Sequence, residues 1–334
     1  MRILLTCYYG LCDALKLAAD ALVELGHTVI GYPLFKYYAD VNDKNTEYVQ
    51  MFNEFIKNSN IDVILWWYFA IPTCDMKMII QNNIGVKNIM FNWDEPYNWF
   101  DNDIKNKAQF FDIVFVTCAE RLDDYIKYGT KKAILQFPGY DSKFHNIILH
   151  DVQSDYEKYS CDISMCCTNL YNNDNLYPNQ YIKRKTLIDK IYENQEKYNY
   201  SFKIYGPEHL KTYYPKSYSG YVKYENTNKV YNYSKINICT HVQCDTYKYL
   251  NERTITILGS GGLLLIDKVK GIEELLIPDV ECVILDKDKY MEQILEILQN
   301  YDKYLIIRHN GYLKSKIYTW NKWAENLHKH LTEL

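Results

Sequence analysis

The chain has 334 residues, with 38 Lys and Arg against 42 Asp and Glu, a net charge of −4 and 48% hydrophobic residues. That length allows two domains, each with its own buried core, and the slightly acidic balance gives no global pull toward nucleic acid or an anionic membrane surface. The longest apolar run, Val63 to Pro72, is about half of the ~20 residues that a membrane-spanning helix needs. Asp13 and Lys16 interrupt the N-terminal apolar stretch before a signal peptide could develop. The ten cysteines are irregularly spaced without a C-x-x-C pair, which fits free thiols in a reducing compartment. A cytoplasmic protein with no membrane span is expected, and the 34 tyrosines read as the bias that AT-rich coding produces.

The N-terminal half alternates strand and helix. RILLT at 2–6 reads as a short strand, and Leu11, Leu15, Ala18, Leu22 and Leu25 mark one helical face. Gly26 closes that helix before the strand HTVIGYPL. The unit repeats with a helix at 46–58, the strand IDVILWW, a helix at 73–82, the strand VKNIMFNW, a helix at 102–109, the strand DIVFVTC and a helix at 119–127. Short loops between such elements predict a parallel sheet covered on both faces. Residues 138–160 lose this periodicity and read as a linker.

A second series starts at CDISMCC and continues with a helix at 179–197, the strand YSFKIYG, a helix at 226–232, the strand INICTH, a helix at 251–259 and the strand GLLLID. Helices at 271–276 and 288–300 follow, then a final helix over 311–333 with Trp320 and Trp323. The stretch YLNERTITILGSGGLLLID at 249–267 is the densest signal. Asn251, Glu252, Arg253 and Thr254 occupy a helix start, where unpaired backbone N–H groups attract an anion. Gly261 and Gly262 end that helix, where a positive φ is needed. These glycines precede a strand, the reverse of the G-x-G-x-x-G order, so a nicotinamide dehydrogenase is a poor reading.

Three further stretches go with that helix: FNWDEPYNW at 91–99, CDISMCCTNLY at 161–171, and IYGP at 204–207 with GYVKYENTNKVYNYSKINICTHV at 220–242. Together they resemble the CgeB-like glycosyltransferases over nearly the whole chain. The resemblance implies an α/β fold of the GT-B type, two Rossmann-like domains facing a central cleft. Residues 1–145 would be the acceptor domain and 146–310 the nucleotide-sugar domain, with a C-terminal helix in 311–334 that crosses back to the first. It also implies transfer from a nucleoside-diphosphate sugar, UDP-linked, to an acceptor hydroxyl on a glycan, protein, lipid or other molecule. Nucleic acid is disfavoured as an acceptor by the acidic balance.

Several side chains are candidates for that chemistry. Thr168 and Asn169 follow the first strand of the second domain, and Arg184 and Lys185 lie on the helix after it, where GT-B enzymes bring a basic group to the donor diphosphate. Tyr205 and Gly206 end a strand where the nucleotide base would rest, and Tyr205 could stack on a uracil. His241 ends INICTH and could bond a sugar or phosphate oxygen. Arg253, at the phosphate helix, can grip two phosphate oxygens at once.

Retaining GT-B enzymes with the E-x7-E pattern carry a Glu where this chain has Thr256, and Lys248 stands eight positions earlier, so neither carboxylate is present. In the first domain, Asp94 and Glu95 follow a strand and could act as the acceptor base, with Asp13 a further candidate. No cofactor or metal is called for. Two other readings stay open, a sugar-nucleotide epimerase of the same fold and a non-catalytic coat or particle component.

Overall fold

A computed structural model describes residues 1–8, 10, 13–34, 45–67, 69–93, 103–150, 152–167, 178–241 and 244–334. The chain forms two compact units, Met1–Gly139 with Trp320–Leu334, and Tyr140–Thr319.

In the first unit the order is β1 (Arg2–Thr6), α1 (Asp13–Glu24), β2 (Thr28–Tyr32), α2 (Asn45–Asn58), β3 (Val63–Trp66), α3 (Thr73–Asn82), β4 (Lys87–Asn92), β5 (Ile113–Val116), α4 (Leu122–Lys127) and β6 (Lys132–Leu135). The second holds α5 (Gln153–Tyr159), β7 (Cys161–Cys166), α6 (Pro178–Tyr198), β8 (Phe202–Tyr205), α7 (Leu210–Tyr213), α8 (Tyr224–Tyr233), β9 (Ser234–Cys239), α9 (Glu252–Gly259), β10 (Leu264–Ile266), β11 (Val283–Ile284), α10 (Tyr290–Gln299) and α11 (Tyr301–Ser315). The last helix, α12 (Trp320–Thr332), belongs to the first unit.

Both sheets are parallel. Their strand orders are β2-β1-β3-β4-β5-β6 and β11-β10-β9-β7-β8. Alternation along the strands divides the first core in two. Leu4, Ile64, Trp66, Met90, Val114 and Val116 pack with Phe52, Ile56, Met76 and Ile79 from α2 and α3. Ile3, Leu5, Val63, Leu65, Ile89, Phe91, Ile113 and Phe115 pack with Leu15, Ala18 and Leu22 of α1 and with Trp320, Trp323, Ala324 and Leu327 of α12. In the second unit Ile163, Met165, Ile204, Ile236, Ile238 and Leu265 meet Leu187, Ile188 and Ile191 of α6 and Ile294 and Ile297 of α10. No described helix is long and apolar enough to cross a membrane.

Two local readings change. A single helix over 311–333 is replaced by α11, a 3-10 turn at Lys316–Tyr318 and α12. The break falls at Thr319, whose extended backbone bridges to Tyr140 while the Tyr140 N–H donates to the Tyr318 carbonyl at 3.0 Å. The stretch at 138–160 is not a free linker either. The Asn228 and Asn232 side chains on α8 accept from the Asn146 and Ile148 N–H groups at 3.1 and 3.0 Å, and buried His145 lies 2.9 Å from Thr227 Oγ1. Side-chain amides here supply partners that a sheet or helix would otherwise give the backbone.

Trp323 is 4% exposed and packs edge-on against Phe91, ring centroids 5.5 Å apart. Trp323→Ala is expected to lower unfolding free energy by about 3–5 kcal/mol in urea titration. A loss below ~1 kcal/mol, the scale of a surface change, would show that α12 adds little to this core.

Candidate functional site

The strand order of the second sheet reverses at β7, with β8 on one side and β9 on the other. Open parallel sheets hold ligands outside the carboxyl ends of the strands at such a switch point. Cys166 and Cys167 come from the end of β7, Cys239, Thr240 and His241 from the end of β9, and Asp267 follows β10.

The helix α9 starts at this edge. Asn251 is its N-cap, and the cap oxygen Oδ1 accepts the Thr254 N–H at 3.0 Å. The other end of the Asn251 amide donates to the Thr240 carbonyl at 3.2 Å, which fixes which way the group faces. The Thr254 hydroxyl donates to the same Oδ1 at 3.1 Å, and the Cys239 thiol at 3.3 Å. The backbone N–H groups of Glu252 and Arg253 have no acceptor among the described residues, so the positive pole of the helix is left available.

Behind the cap lies His241, whose side chain is fully buried. Its Nδ1 is 2.6 Å from Asp267 Oδ1 and its Nε2 is 3.4 Å from Thr254 Oγ1. Asp267 Oδ2 accepts the His241 N–H at 2.8 Å and the Cys244 thiol at 3.1 Å. Burial works against a charge on Asp267, but His241 and these donors outweigh it and hold the carboxyl below its ordinary value. Because both ring nitrogens are engaged inside the protein, His241 meets the site through Thr254.

Arg253 supplies the charge. Its Nη1 is buried with no acceptor, and it forms no ion pair among the described residues. Its guanidinium acts on the Cys166, Cys167 and Cys239 thiols, and buried Arg184, on α6, acts on Cys167 as well. Burial pushes the Cys166 thiol up to about 12 and raises Cys167 and Cys239, more strongly than the guanidinium lowers them. All three stay neutral at physiological pH, so none of them cancels the charge. Two guanidiniums therefore converge on the end of β7, while Lys185 pairs with Asp189 on its own helix.

The remaining candidates divide. Tyr205 is 3% exposed, with its ring 6.4 Å from that of Tyr159, so it is part of the interior. Gly206 lets the end of β8 approach β7, since a Cβ there would lie 2.1 Å from the Cys167 carbonyl oxygen. Thr256 is 4% exposed and its hydroxyl donates back to the Glu252 carbonyl at 2.5 Å. Burial pushes the Glu252 carboxyl up to about 7, against the pull of Arg253. Thr168, Asn169, Asp94 and Glu95 lie outside the described residues, as does the side chain of Asp13. Asp267 escaped the sequence reading. Its only signal was its position, the first polar residue after the strand GLLLI.

Residues 183–329 match the model of a family described as glycosyl transferase-like. No curated protein sequence matches significantly. Among solved structures, the sucrose-phosphate synthase of Thermosynechococcus elongatus is similar at TM-score 0.72 and 11% identity, over 100% of this chain and 98% of that one. Anabaena HepE in complex with UDP-glucose gives 0.69 and 11%, over 100% of both chains. A glycosyltransferase from Rickettsia africae gives 0.70 and 13%, over 99% of this chain and 98% of that one. At these identities the likeness shows the fold, and it is the GT-B glycosyltransferase fold.

Glu252 yields a pH prediction. A carboxyl whose value rises from 4.5 to about 7 on folding binds more protons in the folded state between those values, so its contribution to stability falls as pH rises through that window and is level above it. Glu252→Gln stays neutral throughout. Its stability relative to wild type should therefore increase from pH 4.5 to 7 in urea unfolding, and a difference independent of pH would refute the buried-carboxyl assignment.

Proposed function

We propose that the chain is a glycosyltransferase that moves a sugar from a nucleoside-diphosphate donor, UDP-linked, to an acceptor hydroxyl. The observation that carries this reading is Arg253, a half-buried cation whose buried Nη1 has no acceptor, beside a capped helix N-terminus at the switch point of a parallel sheet. A buried donor left without a partner costs about 1–3 kcal/mol, and a diphosphate would satisfy it. The glycosyl transferase-like match takes in both α9 and Arg184. Similar structures were solved with UDP, UDP-glucose, or UDP and GlcNAc. As the glycosidic bond to the donor breaks, negative charge grows on the departing diphosphate, and Arg253, Arg184 and the α9 N–H groups stabilise it. No metal has a part in this scheme.

The finer assignments belong to the same proposal. The chain is a CgeB-like, cytoplasmic enzyme whose first unit takes the acceptor, with Asp94 as the base and Glu95 beside it. Thr168, Asn169 and Gly206 complete the donor side, with Tyr205 held in the interior. Neither an epimerase nor a coat component accounts for a diphosphate site and a transferase match together.

UDP at one hundred times its dissociation constant should stabilise the protein by about 2.7 kcal/mol, and absence of a thermal shift with UDP, GDP, ADP and dTDP would remove the donor site. Arg253→Ala should weaken UDP binding by roughly ten- to hundredfold, the worth of a charged hydrogen bond; a folded variant that binds like wild type would move the phosphate elsewhere. If Asp94 is the base, Asp94→Asn should keep UDP affinity while UDP-sugar turnover drops about a hundredfold. Turnover within a few-fold of wild type would end that assignment.

A further inference from the structure

The Asp267 side chain is 18% exposed, and its carboxylate accepts three donors from the segment that leads into α9. Asp267 holds the His241 ring through Nδ1 at 2.6 Å and the His241 backbone at 2.8 Å, and it holds Cys244 at 3.1 Å. The opposite edge of the same ring is directed at Thr254 Oγ1, and Thr254 gives both its N–H and its hydroxyl to Asn251. Asn251 in turn is tied to the end of β9 through Thr240. The contacts run without a gap from the end of β10, through the end of β9, to the first turn of α9. The side-chain polar atoms of Asp267, His241, Thr254 and Asn251 along this line all have partners, and connected networks of this kind favour one geometry.

We propose that Asp267 is a positioning residue for the diphosphate: acting through His241 and Thr254, it fixes the Asn251 cap and so aims the free N–H groups of Glu252 and Arg253 at the ligand. This rests on the donor-site reading above. It assigns Asp267 to the recognition of the β-phosphate, because the base and the α-phosphate of a nucleotide can be held without the aim of this helix end. Asp267→Asn keeps the shape but turns an NH₂ group toward one of three donors, which loosens the ring and the cap behind it.

The affinities of UDP and UMP, measured by calorimetry on the full chain, separate aim from mere stability. Asp267→Asn should lower UDP affinity about tenfold and leave UMP within about twofold. Thr254→Val should do the same, Thr254→Ser should restore the wild-type ratio, and the Asp267→Asn, Thr254→Val double variant should be no worse than the weaker single one, because both break one line of contacts. A UDP-to-UMP ratio unchanged in Asp267→Asn, whatever its melting temperature, overturns the proposal, as does additive loss in the double variant. Should Asp267→Asn not fold, the Thr254→Val and Thr254→Ser pair decides by the same ratio. Wild-type protein that binds no nucleotide diphosphate overturns the donor reading, and this inference with it.

Discussion

The second unit carries a positive charge that its own side chains cancel only in part. Arg253 stands among three thiols that burial keeps neutral and beside a carboxyl raised to about 7. A buried charge without a counter-charge is costly, and evenly packed interiors avoid it. Here the buried Nη1 of the guanidinium has no acceptor among the described residues. Under the proposed function, the diphosphate of the donor would supply the missing counter-charge.

The far end of α9 is tightly packed. α9 ends in a Schellman motif: the Gly262 N–H donates to the Ile257 carbonyl and the Gly261 N–H to Leu258, both at 2.9 Å, with Gly261 at φ +69. The second glycine serves space rather than torsion, since a Cβ on Gly262 would lie 2.7 Å from Asn237 Nδ2. Asn237 is itself in the ladder beside Ser164, whose hydroxyl donates to it at 2.8 Å. Arg308 on α11 donates to the freed Gly261 carbonyl and, at 3.1 Å, to the Asn232 carbonyl. The short helix is thus clamped at its C-terminus by backbone and guanidinium, and at its N-terminus by Asn251 and Thr254. Eight residues between two fixed ends can hold a first turn that an isolated helix of this length could not keep.

Much of this was legible in the sequence. Apolar runs of four to six residues between amphipathic helices marked both parallel sheets, because strands buried on both faces need no alternation. The cap and the glycine stop of α9 follow from Asn251 and Gly261 alone, since their conformational preferences are local. The strand β6, KAIL at Lys132–Leu135, did not show, as an edge strand of half-buried residues has little period to read. The docking of 140–150 was hidden because its partners, Asn228 and Asn232, are some eighty residues away. Distance in sequence also concealed Asp267, which becomes meaningful only when β9 and β10 pair and bring it against His241.

The residue at 256 shows how a local change alters a site without emptying it. A glutamate there would place a carboxylate one turn inside the helix, on the same face as Glu252. Thr256 returns its hydroxyl proton to the Glu252 carbonyl, so it offers a ligand at most a lone pair. The acidic side chain that remains on this face is Glu252, which sits at the helix N-terminus, where a negative charge is favoured by the helix pole and opposed by burial. Burial prevails, and the carboxyl changes charge near neutrality instead of standing ionised. A group in that state can give a proton to an anionic ligand as well as accept a hydrogen bond from a hydroxyl. An ionised glutamate at 256 could only accept. The same helix therefore presents less fixed negative charge beside Arg253 than the E-x7-E arrangement does, and the positive character of the site is correspondingly stronger.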